Sequence, residues 1–380
     1  MGVDFKDITY DEIKNLYIEN EKSYDIGIEI TKKIKKEGFS NIENMLLLPF
    51  ADNVMMSDID GSIMMIDGAK DAYYRGEKRN YPTNKPSLLR KLEKLYTEEE
   101  KEAYKLISDM RIYEFKRFLE QFGYIKDWSN EIYIDIFYEK LAQHYGLETS
   151  LLDITSHFVV ALFFATCTFD NNINKWRPLS NEEIEEYEYG IIYRKVAGID
   201  IRNTMMIIEN QEGAIKPIGK QPLKRCEFQN AYTTELKTKE KLTDIGFEKL
   251  RFKHSVELSN SVYKKMNCGR SIYPIEGMED MNEEINTIRK LNEFSLEAFE
   301  FAFNKNNYFE TRESAKRTIS NLNGYNIKII EGKEPIKVSR QRIKKFNKKY
   351  EKLLSKEKVT EVIMPVFTYS EEDKNTNNEN

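Results

Sequence analysis

Arg75 stands at the end of a short run, Ala72-Tyr73-Tyr74-Arg75, and is followed at once by Gly76. A guanidinium there holds a planar fork of donors that suits a phosphate or a carboxylate, and the glycine would let a ligand approach the backbone. Further along, His144 and Tyr145 supply an imidazole and a phenol, and Asp153, Thr155 and Ser156 supply oxygens just ahead of the apolar run 158–165. Asp, Thr or Ser in that place is N-cap chemistry for the helix that the run predicts. Two readings stand side by side. The cluster holds an anionic or sugar-like ligand at a helix N-terminus, or Asp153 only caps a buried helix and Arg75 only pairs with a carboxylate of the fold.

The elements that must hold these groups follow from composition and periodicity. The chain has 380 residues, enough for one large or two ordinary domains, and its 40% hydrophobic content can fill a sizeable core. A net charge of −5 argues against a general nucleic-acid coat, so any such role must be local. Cys167, Cys226 and Cys268 form no CxxC pair, and with only His144, His157 and His254 a histidine-rich metal site is not expected. The N-terminus has no apolar signal core, no run reaches membrane-spanning length, and Lys6 breaks the myristoylation pattern. The expectation is a cytoplasmic protein without membrane contact.

Residues 5–45 carry Ile13, Leu16, Tyr17, Ile26, Ile30 and Ile34 at helical spacing, with breaks expected at Ser23 and Ser40. Pro86-Ser87 opens a helix with Leu88, Leu89, Leu92 and Leu95, and Thr97 caps another that runs on towards Gly123. Residues 170–188 read as a surface loop or short helix. Beyond them, short β-like runs appear at 190–194, at Met205-Met206-Ile207-Ile208, at 227–232 and at 250–254. Helices first and strands later predict an α+β fold, with a central mixed or antiparallel sheet, a mainly helical N-terminal half and a helical C-terminal extension. The expected division is a helical lead-in over 1–66, a central domain over 67–280, an extension over 281–369 and a disordered tail over 370–380.

In that extension, 282–303 reads as one helix. Lys333–Lys358 holds eleven Lys or Arg against three Glu. It is either a helix packed by Ile343, Phe346, Tyr350, Leu353 and Leu354, or a surface for a protein or nucleic-acid partner, with Lys344, Lys345, Lys348 and Lys349 on phosphates. A last strand is expected within 359–369.

Tyr74-Arg75-Gly76, Pro86-Ser87-Leu88-Leu89-Arg90, the block 141–155 (LAQHYGLETSLLDIT) and Ala161-Leu162-Phe163-Phe164-Ala165 occur in this order. Together they resemble the FRG domain, a family named for a Phe-Arg-Gly motif. Arg225, Gln229, Ala231 and Tyr232 resemble its later pattern of an arginine, a spaced glutamine, a small residue and an aromatic, so the likeness runs from Ala69 to Ile275. Tyr74 replaces the phenylalanine of the name, and Ser150 and Ile154 stand where the family usually has arginine and an aromatic such as tryptophan. The resemblance implies a bacterial or phage-associated intracellular protein, such as a toxin-like effector of phage defence.

A weaker similarity to NAD-cleaving ADP-ribosyltransferases implies roles for the same residues. Arg75 would clamp a phosphate or ribose, His144 or Tyr145 would meet the nicotinamide end, and Thr155 or Ser156 would support the site. Glu227 or Gln229 would meet the ribose hydroxyls, with Gly76, Asp153 and Arg225 completing the binding set. Such chemistry needs a carboxylate beside the developing oxocarbenium ion. Gln229 cannot supply that charge, whereas Glu227, two residues away on an expected strand, would share its face. The expectation is a protein binding a nucleotide-like ligand, with no required cofactor and NAD as candidate substrate. The alternative is a non-catalytic interaction or nucleic-acid-binding module; no P-loop or GxGxxG argues for ATP or a dinucleotide fold.

Overall fold

The computed structural model of the chain describes residues 5–37, 51, 54–57, 62–66, 70–170, 173, 175–197, 215–237, 240–357 and 362–363. Ser40, the run at 205–208, most of 359–369 and the tail 370–380 lie outside the described residues.

After a short strand β1 (Lys6–Asp7), helix α1 (Tyr10–Glu37) begins at a reciprocal cap, in which Glu12 N donates to Thr9 Oγ1 at 3.3 Å and Thr9 N donates to Glu12 Oε2 at 2.8 Å. Ser23 does not break this helix. Its hydroxyl accepts from Asp71 N at 3.1 Å, so the residue ties α1 to the sheet. Strands β2 (Val54–Ser57), β3 (Ile63–Ile66) and, from the far end of the chain, β14 (Val362–Ile363) form a small separate sheet.

Strand β4 (Ala72–Glu77) is followed by α2 (Ser87–Leu92), α3 (Glu98–Leu119) with its Thr97–Glu100 capping box, α4 (Gly123–Ile132) and α5 (Tyr138–His144). Next come β5 (Leu151–Thr155), α6 (Phe158–Thr166), β6 (Cys167–Asp170), β7 (Lys175–Pro178), the Ser180-capped α7 (Asn181–Tyr187) and β8 (Tyr189–Val196). Strand β9 (Lys216–Pro217), a single turn α8 (Arg225–Phe228), β10 (Ala231–Glu235), β11 (Glu248–Lys253) and α9 (Val256–Lys265) complete the central part.

The main sheet has seven strands in the order β1-β11-β8-β4-β5-β10-β9. Only β1, parallel to β11, makes it mixed; its other pairings are antiparallel. The fold is α+β. Helix α6 is apolar on every side and nearly all of its side chains are buried, the pattern of a helix with no solvent face. It lies across β4, and Gly76 is what lets it come so close: a Cβ there would fall 1.7 Å from the carbonyl oxygen of Ala161.

Two local readings are corrected here. The run Leu151–Thr155 is a strand, paired with β10 along Leu151–Glu235 to Thr155–Ala231, so Asp153 sits inside the sheet and caps nothing. The N-cap position of α6 is His157, which makes no side-chain cap, and the amide of Phe158 donates instead to Asn20 Oδ1 at 2.8 Å, from α1. Thr155 Oγ1 accepts from His157 N at 3.0 Å. Residues 227–232 are likewise not one strand: α8 runs to Phe228, Asn230 turns the chain with φ 43°, and β10 starts at Ala231.

The expected helix over 282–303 is two helices, α10 (Asn282–Arg289) and α11 (Leu296–Lys305), separated by β12 (Glu293–Ser295). Ser295 starts the second one, accepting from Ala298 N at 3.1 Å, while its own amide donates to the buried Glu114 at 2.9 Å. Helix α12 (Arg312–Asn321) and β13 (Lys328–Ile330), which pairs with β12, lead to the basic helix α13 (Arg340–Glu357). Phe346 and Tyr350 of α13 are buried against Phe122 and Tyr124, so the packed reading of this stretch is the one its side chains show.

Candidate ligand-binding site

Strands β4 and β5 are joined through one residue pair only, Tyr74 with Thr155. Beyond it the strands part, and the gap is bridged by a side chain: Arg75 Nη1 donates to the carbonyl oxygen of Asp153 at 2.8 Å. A cleft of about 910 Å³ opens there, between this parting, the 78–90 segment and α6. Its volume is that of a small-molecule site.

The floor of the cleft is polar. Arg75 Nε donates to Glu77 Oε1 at 3.2 Å, and Asn84 Nδ2 donates to the same oxygen at 3.1 Å. Glu77 Oε2 is covered and has no hydrogen-bond partner. On the facing side, His144 Nε2 and Asp153 Oδ1 lie 3.9 Å apart, too far for a hydrogen bond, and each is covered and unpartnered. Burial holds the His144 imidazole below its usual pKa, against the opposing pull of Asp153 and of a hydrogen bond to Gln229. The ring is therefore neutral near pH 7. Gln229 is itself fixed, donating through Nε2 to the carbonyl of Ile272 at 3.1 Å.

Cations and aromatics complete the walls. Lys78 Nζ donates to Thr168 Oγ1 at 2.7 Å, and burial pulls its ammonium below the ordinary lysine range. Arg90 also lines the cleft. Trp176 lies between Phe164, edge-to-face at 5.7 Å, and Tyr273, tilted at 5.3 Å, and its Nε1 is a fourth covered polar atom without a partner. An unmet buried polar group costs about 1–3 kcal/mol. Four of them around one cleft are groups that water or a ligand would satisfy there.

Of the residues expected at a site, Arg75, Gly76, His144, Asp153, Thr155 and Gln229 line this cleft together. Tyr145, Ser156, Arg225 and Glu227 do not. Tyr145 is buried behind His144, where its hydroxyl meets Glu276 and burial drives its pKa far up. Arg225 is sandwiched 4.3 Å from the Tyr145 ring and 4.9 Å from the Tyr273 ring, and its Nη1 donates to the carbonyl of His144 at 2.6 Å. It positions the end of α5. Its charge faces Glu276 at 3.8 Å, a carboxyl that burial pushes above its usual range.

Ser156 is buried on the α1 side and hydrogen-bonds Tyr24 at 2.7 Å. Glu227 pairs with Lys224 at 3.0 Å and lines a different, smaller cavity of about 380 Å³ beyond α8. The turn that ends at Asn230 sends Glu227 and Gln229 to different cavities, so the shared strand face expected for them does not exist. Gly76 lines the cleft, but its missing Cβ serves the close approach of α6. Glu77, Lys78, Asn84, Trp176 and Tyr273 were not singled out by sequence. Glu77 had a signal, since two residues after Arg75 on one strand it must share its face.

Residues 70–173 match the family model of the FRG domain. The match ends before the Arg225–Tyr232 pattern and covers β4, β5, α6 and both sides of the strand parting, though not Gln229 or Tyr273. No curated protein and no solved structure matches the chain, and nothing in the comparisons supports the ADP-ribosyltransferase likeness. The segment that builds the floor of the cleft is the one that matches the FRG domain.

Proposed function

We propose that the FRG-domain cleft binds a nucleotide-like ligand, an anion joined to a flat ring. One observation carries this reading: Arg75 and Lys78, an aromatic wall of Phe164, Trp176 and Tyr273, and four unmet polar atoms line the same cleft. Arg75 has two of its nitrogens engaged by the protein, and its side chain remains 23% exposed, so the fork is held in place and still reachable. Phosphate oxygens suit Arg75 and Lys78, and a purine or nicotinamide ring suits the aromatic wall.

A second, catalytic reading, cleavage of NAD or transfer of its ADP-ribose, draws on Asp153 and Glu77. These are the carboxylates at the cleft, and Glu227 has no place in it. Either could face a developing oxocarbenium ion.

The test is calorimetric titration with ADP and NAD, followed by incubation with a tagged NAD. The binding reading expects saturable binding that Arg75→Lys weakens. Failure of both compounds to bind up to about 1 mM, an affinity of only about 4 kcal/mol, would overturn it. NAD binding without consumption would remove the catalytic reading alone.

A further inference from the structure

We propose that Glu77 is a positioning residue for the anion of the ligand: one oxygen of its carboxyl, shared by Arg75 and Asn84, fixes the plane of the Arg75 guanidinium and leaves Nη2 as the donor offered to the cleft. The inference rests on the nucleotide reading above and specifies how the phosphate end is received.

Arg75 and Glu77 stand two residues apart on one face of β4, and the ladder with β8, Arg75 opposite Tyr193 and Glu77 opposite Ile191, fixes both backbones. A carboxylate that pairs with an arginine frequently does so with both oxygens, as two parallel bonds. Here only Oε1 is used. It accepts from Arg75 Nε at 3.2 Å and from Asn84 Nδ2 at 3.1 Å, while Oε2 is covered and unpartnered. A second restraint comes from across the strand parting, where the carbonyl oxygen of Asp153 accepts from Arg75 Nη1 at 2.8 Å. Two acceptors, one at Nε and one at Nη1, define the orientation of a rigid planar group. Nη2 has no partner among the described residues, and the Arg75 side chain stays 23% exposed at the cleft.

The same oxygen also fixes a wall. Asn84 is buried and belongs to the 78–90 segment that borders the cleft. That segment is tied at its start by His254 Nε2, which donates to the Lys78 carbonyl at 2.8 Å, and further on by Arg90 Nη1, which donates to the Lys85 carbonyl at 2.7 Å. Between these ties, the Asn84 bond holds it to β4. Glu77 therefore sets the guanidinium and the neighbouring wall with one atom. Charge alone does not call for this arrangement. A carboxylate beside an anion site repels the ligand, so what Glu77 supplies there is geometry.

Glu77→Gln and Glu77→Asp separate geometry from charge. The glutamine keeps the length and a carbonyl oxygen for Arg75 and Asn84, puts its amide nitrogen where Oε2 has no partner, and removes the charge. The aspartate keeps the charge and withdraws the oxygen by one methylene. In calorimetric titration with ADP, per folded molecule, Glu77→Gln should bind at least about tenfold more tightly than Glu77→Asp; a smaller difference would overturn the proposal. Combining Glu77→Asp with Arg75→Lys should cost little beyond either change alone. Additive losses would make Glu77 a structural residue independent of Arg75, and the proposal wrong. A ligand-free readout separates this from the nucleotide reading. In the isotope-labelled chain, the Arg75 Nε–H resonance, identified by its absence in Arg75→Lys, should exchange slowly with water in the wild type and in Glu77→Gln, and quickly in Glu77→Asp. If ADP fails to bind the wild type and this pattern holds, the nucleotide reading falls and Glu77 still positions Arg75. If ADP binds and the pattern is absent, the nucleotide reading stands and the positioning role is wrong. Should Glu77→Asp not fold, the resonance in Glu77→Gln decides, and its loss there would overturn the proposal.

Discussion

On α13, Arg342 is held by Glu284 at 2.5 and 3.1 Å, Lys345 by Asp280 at 2.7 Å, and Lys349 donates to the carbonyl of Ile275. Around the cleft, Arg75 and Lys78 are also engaged by the protein, yet four covered polar atoms beside them are not. The two regions have similar cationic character in the sequence and opposite hydrogen-bond accounts in the fold. Exposed ion pairs contribute at most about 1 kcal/mol and are screened by salt, so the density of lysines on α13 says little about a partner. Unmet polar atoms under cover are costly, and several around one cleft call for water or a ligand there.

The comparison breaks most visibly through packing. Gly76→Ala places a Cβ against the Ala161 carbonyl, backbone against backbone, and should cost about 3 kcal/mol or more in urea unfolding. An alanine variant of unchanged stability would return Gly76 to a ligand role. Phe346→Ala should cost about 3–5 kcal/mol, because the ring is buried against Phe122 and Tyr350. A small effect there would free α13 to be a surface after all.

Next in size is Arg75→Lys. It keeps the charge and removes the fork, so ligand affinity should fall about tenfold, roughly 1.4 kcal/mol, with only a small shift in melting temperature. Unfolding with intact binding per folded molecule would make Arg75 a structural bridge between β4 and β5 and nothing more.

Acid sharpens the same contrast. Burial lowers the pKa of His144, His157 and His254 from 6.5 in the folded state. Below pH 6.5 the unfolded chain therefore binds protons that the folded chain refuses. Their contribution to stability is complete above pH 6.5 and is lost as pH falls through the lowered folded values. Each histidine adds a slope of up to about 1.4 kcal/mol per pH unit. His254→Gln should flatten the urea-unfolding profile below pH 6.5 relative to wild type; an unchanged profile would show that His254 titrates alike in both states. The smallest effect belongs to Lys344→Ala with Lys348→Ala, within about 0.5 kcal/mol and without change in cleft binding. Steeply salt-dependent RNA binding, lost in that double variant, would overturn the account of α13.

What could be read from the chain alone was whatever depends on neighbours in sequence. The Thr97 cap, the apolar run of α6 and the strand begun at Ala72 are local, set within a few residues, although that strand runs on through Gly76, where the sequence suggested its end, to Glu77. The helix over 282–303 failed because Ser295 is a second start hidden inside a helical spacing. Glu227 and Gln229 were placed on one strand because the left-handed turn at Asn230 changes the direction of the chain without changing its composition.

The site itself was decided at longer range. Asp153 looked like a cap, but pairing with β10 made it part of a strand, and Asn20, 138 residues from Phe158, took the capping role. The parting of β4 from β5 after a single pair, which opens the cleft, is written in no local signal. Trp176 and Tyr273 reach Phe164 only once β7 and the segment after α9 fold over α6. Residue type and spacing determine which side chains can do chemistry; strand pairing and the close approach that Gly76 allows determine which of them meet.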